Sequence, residues 1–362
     1  MKKIINSTIL TISIAIFSMF FGAGNVVFPL QIGIEHQGQC IWAFLGLLST
    51  AIGGPLLGLL AATLLQGNCK RFFFSGGKPL GIMLMTTTLA MGPLIVLPRC
   101  LTVSYGALNS IFPTSLLVFA IIFSIVSLIC CWKHRYVLPI LGKVLSPLLL
   151  ACLITIIYMC LSNGSPINPG ASAPFEAFTS GFLTGYYTMD LIASIFFSAS
   201  IWALVNYTSD KKTTFRVVLT SGILGCIFLA VIYLGLTLSA ACFRDQLINI
   251  APENLLSHLA LLALGPKLSI LSNIAVGIAC LTTVISFTMA ISDIMCKDLF
   301  NHKISYHTTI VLNLIITCVM AQCGFSGLMV ILHPMISVCY PIMILLVLKT
   351  ISENLTGKKV LN

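Results

Sequence analysis

The stretch Phe20-Phe21-Gly22-Ala23-Gly24-Asn25-Val26-Val27-Phe28-Pro29 interrupts an otherwise apolar run that extends over 7–31. Two glycines and an asparagine in the middle of such a run are poor helix formers, glycine being about 1 kcal/mol worse than alanine. Inside a bilayer a break of this kind is tolerated only where protein or water satisfies the backbone groups it frees. A second stretch has the same character. Gly181-Phe182-Leu183-Thr184-Gly185-Tyr186-Tyr187-Thr188-Met189-Asp190 sets glycines, hydroxyls and a carboxylate into an apolar run over 181–206.

The rest of the chain says that the surrounding solvent is lipid. Of 362 residues, 58% are hydrophobic and 8% charged, where a soluble domain carries roughly a quarter charged residues; mean hydropathy is +1.07. Apolar runs of helical length recur throughout, and in hydrocarbon such runs must be helices that satisfy their own backbone. Ten spans are expected, near 7–31, 40–66, 80–108, 115–132, 136–161, 181–206, 216–243, 267–295, 306–323 and 326–348. Lys2 and Lys3 before the first run resemble the start of a signal peptide. That run is too long for one, so an uncleaved first span is expected.

The net charge of +10 sits in small clusters between apolar runs, which excludes a nucleic-acid-binding face. Lys2 and Lys3; Lys70, Arg71 and Lys78; Lys133 and Arg135; Lys211, Lys212 and Arg216; Lys297 and Lys303; and Lys349, Lys358 and Lys359 fall on one side of a ten-span chain. The opposite loops hold only Arg244 and Lys267, beside Asp245 and Glu253. By the positive-inside rule both termini are cytoplasmic and the protein is multi-pass in the cell (inner or plasma) membrane. Most of the 14 cysteines, Cys130, Cys131, Cys152, Cys160, Cys226 and Cys280 among them, lie within apolar runs and read as small buried hydrophobes.

The two breaks fall in spans one and six of ten. That makes them corresponding members of two five-helix halves, 7–161 and 181–348, which must be inverted because five is odd. Paired interrupted helices in inverted repeats point to a transporter's binding site at mid-membrane. Taken alone, Gly181 and Gly185 have the spacing of a close helix–helix contact. Taken together, the two stretches favour the transporter reading.

The first stretch resembles the first-helix signature of the branched-chain amino acid transport system II carrier proteins. So do Gly92-Pro93-Leu94 with Pro98-Arg99 and Thr102-Val103-Ser104-Tyr105, and Gly181 through Asp190. The resemblance runs from the first span into the tenth. It implies an all-α integral membrane fold of two inverted five-helix repeats with discontinuous helices 1 and 6, that of the amino acid–polyamine–organocation carriers. Family members commonly have two further C-terminal helices, whereas the last apolar run here is 326–348.

A branched-chain amino acid as substrate would need its carboxylate, its ammonium and its aliphatic group met. Exposed N–H ends of a broken helix attract the first and orphan carbonyls attract cations. Backbone at Gly22, Ala23, Gly24 and Asn25, and at Tyr187, Thr188 and Met189, is therefore the expected cradle, without an intramembrane Arg or Lys. Phe196, Phe197 and the aromatics near Phe21 are candidates for the apolar wall. Sodium takes oxygen ligands; Thr282, Thr283 and Ser286 lie in span eight, Thr283 and Ser286 on one face. The resemblance implies Thr283 as the leading sodium ligand, with Asn25 lending a side-chain oxygen at a second site.

Asp190, about nine residues into its span, is an intramembrane carboxylate and hence a functional candidate. It is expected to bind a cation, take up a proton or pair with Arg99, while Arg99 is expected to snorkel outward. His333 beside Pro334 is expected to satisfy carbonyls that the proline frees. The chain has neither H-E-x-x-H nor G-x-S-x-G, which argues against an enzyme. It carries its own paired breaks rather than one segment of a multi-subunit ring, which argues against a channel. The expected function is a secondary active importer of leucine, isoleucine and valine coupled to sodium, with no cofactor beyond that ion. The alternative is a proton-coupled carrier using Asp190.

Overall fold

A helix lying in hydrocarbon satisfies its own N–H and C=O groups, so apolar length alone suffices to make it. The computed structural model describes residues 2–132, 146–168, 173–206, 211–299 and 303–356, and among these the apolar runs are helical and no strand occurs. The first run is two helices, α1 (Lys2–Phe20) and α2 (Ala23–His36). α3 (Cys40–Leu48) and α4 (Gly54–Leu64) continue into one another through a π-helical turn at Ser49–Gly53, and the short α5 (Cys69–Phe74) follows. α6 (Lys78–Met91) and α7 (Leu97–Leu108) are likewise joined by a π-helical turn at Gly92–Val96. Pro93 within that turn and Pro98 just after it have no N–H to give the preceding turn, which accounts for the widening.

Next come α8 (Leu116–Trp132), α9 (Ser146–Asn163), and the second interrupted pair, α10 (Pro174–Tyr186) and α11 (Asp190–Asn206). α12 (Lys211–Cys242), the single-turn α13 (Arg244–Leu247), α14 (Leu255–Ile294), α15 (Tyr306–Met320) and α16 (Gly324–Leu355) complete the order. The external loop expected before residue 267 is thus partly helical. Gly265 at φ 73°, followed by Pro266, kinks α14 and separates that loop helix from the membrane span. Lys133, Arg135, the 136–145 part of the fifth expected span, Lys358 and Lys359 lie outside the described residues.

Helical runs long and apolar enough to cross a bilayer cover Ala23–Leu64, Lys78–Leu108, Ser146–Asn163, Lys212–Cys242, Pro252–Leu299 and Tyr306–Leu355. Shorter apolar helices cover Ile9–Phe20, Leu116–Trp132 and Asp190–Trp202. Ala23–Leu64 is longer than one span because the chain folds back at Gln37–Gln39, leaving α2 packed on α3.

The packing of the interrupted helices is reciprocal. α1 and α2 lie against α12, while α10 and α11 lie against α3 and α4. Each interrupted pair therefore rests on helices that follow the other pair in the chain. α7 and α14 pack on each other and close the remaining side.

Gly181 and Gly185 do not form the second break. They sit inside α10, one turn apart, and face α3. A Cβ on Gly181 would run into the Ala43 backbone, and one on Gly185 into the Thr50 side chain, whose hydroxyl donates to Phe182 O at 2.8 Å. With no hydrophobic drive between helices in lipid, such close backbone approach is what holds them together. Gly185→Leu is expected to destabilise the protein by about 1–3 kcal/mol, lowering the thermal unfolding midpoint in detergent. Gly53→Ala, whose new Cβ would meet nothing nearer than 3.9 Å, is expected to leave it unchanged.

Candidate functional site

Helix α1 stops at Phe20 and α2 begins at Ala23, with Gly22 extended between them at φ −109°, ψ −162°. The amide of Gly22 donates to Phe20 O (2.7 Å) and to the Asn25 side-chain oxygen (3.2 Å). The first-turn N–H groups of α2, including those of Ala23 and Gly24, have no carbonyl of their own helix to meet. Both glycines are needed for closeness. A Cβ on Gly22 would lie 3.0 Å from Thr283 Cγ2, and one on Gly24 would lie 2.9 Å from Arg99 Nη2 and 3.2 Å from Thr188 Cα.

The second break spans Tyr187–Met189, between α10 and α11. Met189 has φ 63°, a left-handed conformation that costs a non-glycine residue about 1–3 kcal/mol and clusters at functional sites. The turn is held by Tyr187 N to Thr184 O (3.0 Å), Met189 N to Tyr186 O (3.2 Å) and Thr188 Oγ1 to Gly185 O (2.9 Å). The carbonyls of Tyr187 and Thr188 accept from a side chain of another helix, Arg99.

Two side chains bridge the breaks. Asn25 Nδ2 donates to Asp190 Oδ2 at 2.6 Å and also to the Tyr233 hydroxyl, and that hydroxyl reaches Asp190 Oδ2 at 3.4 Å. Asp190 is 3% exposed and opens α11, where the helix dipole favours a negative charge. Arg99 is the second bridge. From α7 its Nη1 donates to Tyr187 O at 2.6 Å and its Nη2 to Thr188 O at 3.4 Å, with the guanidinium 5.5 Å over the Phe28 ring. At 2% exposure it does not snorkel. The orphan carbonyls and negative dipole at the end of α10 supply acceptors inside the protein, so it need not reach water. Among the described residues no ion pair joins Arg99 to Asp190; each is bonded to a different part of the two breaks.

The span-eight hydroxyls separate. Thr283 Oγ1 faces the first break and donates to Phe21 O at 3.4 Å. Thr282 donates back to Ala279 O (2.8 Å) and accepts from Ser18 (3.3 Å), behind the break rather than beside it. The Ser286 hydroxyl is buried without a protein partner. His333 does not serve the carbonyls freed by Pro334: its Nδ1 lies 3.1 Å from the Tyr187 hydroxyl and its ring 4.4 Å from the Tyr187 ring. The geometry therefore adds Tyr233, Arg99 and His333 to the residues expected at the breaks.

The breaks enclose one buried cavity, lined by residues 22–25 and 188–190 with Arg99, Thr283, Phe20 and Phe287. It holds about 300 Å³ of space between atoms, but the centre of a water-sized sphere can move over only about 20 Å³ of it. That is room for about one water. The apolar wall comes from Met19, Phe20, Val96, Ala193 and Phe287. Phe196 and Phe197 instead pack in the core behind it, edge-on to Phe287 at 5.9 and 5.6 Å. Such a chamber can hold a zwitterion once its walls part: its lining supplies N–H donors, a guanidinium and a carboxylate, with apolar groups among them.

Asn25→Ala would leave the buried Asp190 carboxylate and Tyr233 hydroxyl short of a donor. A loss of about 1–3 kcal/mol is expected, read as a lowered midpoint of thermal unfolding in detergent.

Comparison with known proteins agrees with this architecture. A sequence profile described as "Branched-chain amino acid transport protein" matches residues 5–361. The branched-chain amino acid permease BrnQ of Corynebacterium glutamicum is 29% identical over 355 residues, covering 96% of this chain and 82% of the relative. Among solved structures, the nucleobase-cation-symport-1 family transporter Mhp1 in a closed conformation superimposes with a TM-score of 0.67 at 13% identity, over 94% of this chain and 77% of Mhp1. MhsT in complex with L-phenylalanine gives 0.61 at 17% identity, over 88% and 80%. These structural likenesses are of fold: helical transporters of two inverted repeats.

Proposed function

The chain belongs to the branched-chain amino acid transport protein family, and from that premise we propose that it imports leucine, isoleucine and valine by alternating access, driven by sodium. The observation that carries the reading is the enclosure of a buried cavity by residues of the two facing breaks, 22–25 and 188–190. The family is one of transporters, not enzymes, and its members are multi-pass membrane proteins.

In this reading the substrate lies between the breaks. The free N–H ends at Ala23, Gly24 and Asn25 meet the carboxylate, as helix N-termini meet anions. The aliphatic group packs on Phe20, Val96 and Phe287, a burial worth about 1.5–3 kcal/mol. The backbone of Tyr187, Thr188 and Met189 forms the opposite wall; because Arg99 already holds two of its carbonyls, the ammonium turns toward Asp190.

The sodium part of the proposal rests on oxygen supply. Thr283 Oγ1 and Phe21 O, 3.4 Å apart, face the first break, and the buried, unpartnered Ser286 hydroxyl lies one turn along the same helix. The second sodium position at Asn25 asks its side-chain oxygen to serve the ion and Gly22 N together, which its two lone pairs permit. Thr282, bonded to Ala279 and Ser18, supports the packing of α14 on α1 more than an ion. The proton-coupled alternative also has an observation in its favour: Asp190 is buried beside both breaks with two neutral partners, Asn25 and Tyr233.

We further propose that the termini are cytoplasmic, because the basic residues at 70–78, 211–216 and 297–303 all lie on the side the positive-inside rule assigns inward. The halves 7–161 and 181–348 are then the repeats that rock against each other around the site.

Leucine uptake into proteoliposomes tests the reading. An inward sodium gradient is expected to drive accumulation, and its removal to abolish it. Thr283→Val is expected to weaken the sodium dependence roughly 10-fold or more, the scale of one lost hydrogen bond to a charged group. Accumulation that persists without sodium, follows a pH gradient and fails in Asp190→Asn would replace sodium coupling by the proton reading.

A further inference from the structure

A buried guanidinium needs more partners than Arg99 has been given. The group carries five N–H donors. Two bonds reach the carbonyls of Tyr187 and Thr188, while Nε is buried with no partner at all. Asp190, the nearest intramembrane carboxylate at the breaks, is engaged by Asn25 and Tyr233 and forms no ion pair with Arg99. Capping of α10 therefore explains part of this side chain and leaves Nε unpartnered on a residue that lines the cavity.

Its position matters as much as its donors. Nη2 would lie 2.9 Å from a Cβ on Gly24, so the guanidinium stands directly over the first turn of α2, whose N–H groups have no carbonyl of their own helix to meet. A carboxylate seated on those N–H groups is brought against the guanidinium by the same placement. Among the described residues no carboxylate forms an ion pair with Arg99. The walls are otherwise apolar or neutral, so the pair would form in a water-poor site where charge-assisted bonds are strong.

We propose that Arg99 is the residue by which this site selects α-carboxylates: it completes the carboxylate subsite begun by the N-terminus of α2 and restricts the carrier to zwitterionic amino acids over their amides and amines. The proposal rests on the transporter reading above and deepens it. Asp190, lining the same cavity, supplies the opposite charge for the ammonium. The two side chains make no ion pair: Arg99 donates to the carbonyls of Tyr187 and Thr188, while Asp190 accepts from Asn25 and Tyr233.

The test is competition against radiolabelled leucine on the purified protein in sodium-containing buffer, comparing leucine with leucinamide, which keeps the side chain and amine but lacks the carboxylate. The wild type is expected to prefer leucine by roughly 10- to 100-fold, the scale of hydrogen bonds to a charged group. In Arg99→Gln leucine binding is expected to fall by that factor while leucinamide binding holds, so that the ratio approaches one. Arg99→Lys keeps a charge for the α10 carbonyls but loses the planar fork, and is expected to lower the ratio by a smaller factor; it decides the matter if the glutamine variant does not fold. Equal losses for both ligands, or an unchanged ratio in the lysine variant, would reduce Arg99 to a cap on α10 and overturn the proposal. A wild type that binds leucine no better than leucinamide overturns it as well. A wild type that binds neither overturns the branched-chain reading along with it.

Discussion

Everything at the centre of this protein follows from one constraint: a helix broken in hydrocarbon exposes backbone groups that water cannot reach. The chain breaks two helices, and each break draws in side chains from other helices. Carbonyls at the end of α10 take the Arg99 guanidinium from α7. Asn25, from the start of α2, gives its amide to Asp190 at the start of α11. Neither break is stable as drawn without the other, so the two stretches are one structural unit though they lie 165 residues apart at that contact.

The same constraint explains the residue types around the site. Gly22 and Gly24 are small because Thr283, Arg99 and Thr188 must come close enough to serve the exposed backbone. Gly181 and Gly185 are small for a different reason, to let α10 lie against α3 and hold the second break in register. Met189 accepts a left-handed backbone with a full side chain, which the surrounding bonds at Tyr187, Thr188 and Ala193 must over-determine.

How much of this could be read from the sequence varied with the range of the interaction. The first break was legible to within a residue or two, because Gly-Ala-Gly-Asn in an apolar run has no other use in lipid. The second was legible as the stretch 181–190, with Tyr187, Thr188 and Met189 as its backbone; what the pattern did not separate is the role of Gly181 and Gly185, which form a helix-packing face, from the turn at Tyr187–Met189, where no glycine occurs. Arg99 was misread because snorkelling is a property of a lone helix, whereas its fate depends on carbonyls some ninety positions away in the chain. Tyr233 gave no local signal; a single tyrosine within a long apolar helix is ordinary until Asp190 and Asn25 are placed beside it. The sequence pattern therefore exposed what breaks, and the partners that mend the breaks needed three dimensions.

The contacts also bear on how such a site opens. α1, α2, α3, α4, α10, α11 and α12 pack chiefly among themselves, whereas α7 and α14 pack on each other. The side-chain bonds that cross between these groups at the cavity are Arg99 to Tyr187 and Thr188, Thr283 to Phe21, and Ser18 to Thr282. A space with room for about one water cannot receive leucine until the groups separate, and separation must stretch those bonds first. In the cycle proposed here, a carboxylate at Arg99 and a cation at Thr283 would bind at the side chains that latch the two groups. Coupling of ligand to motion would then need no long-range relay, because the latch and the binding site share their residues. A ligand shifts such an equilibrium only by its difference in affinity for the two arrangements, and a carboxylate that takes the remaining donors of a guanidinium already bonded to Tyr187 and Thr188 is a direct source of that difference.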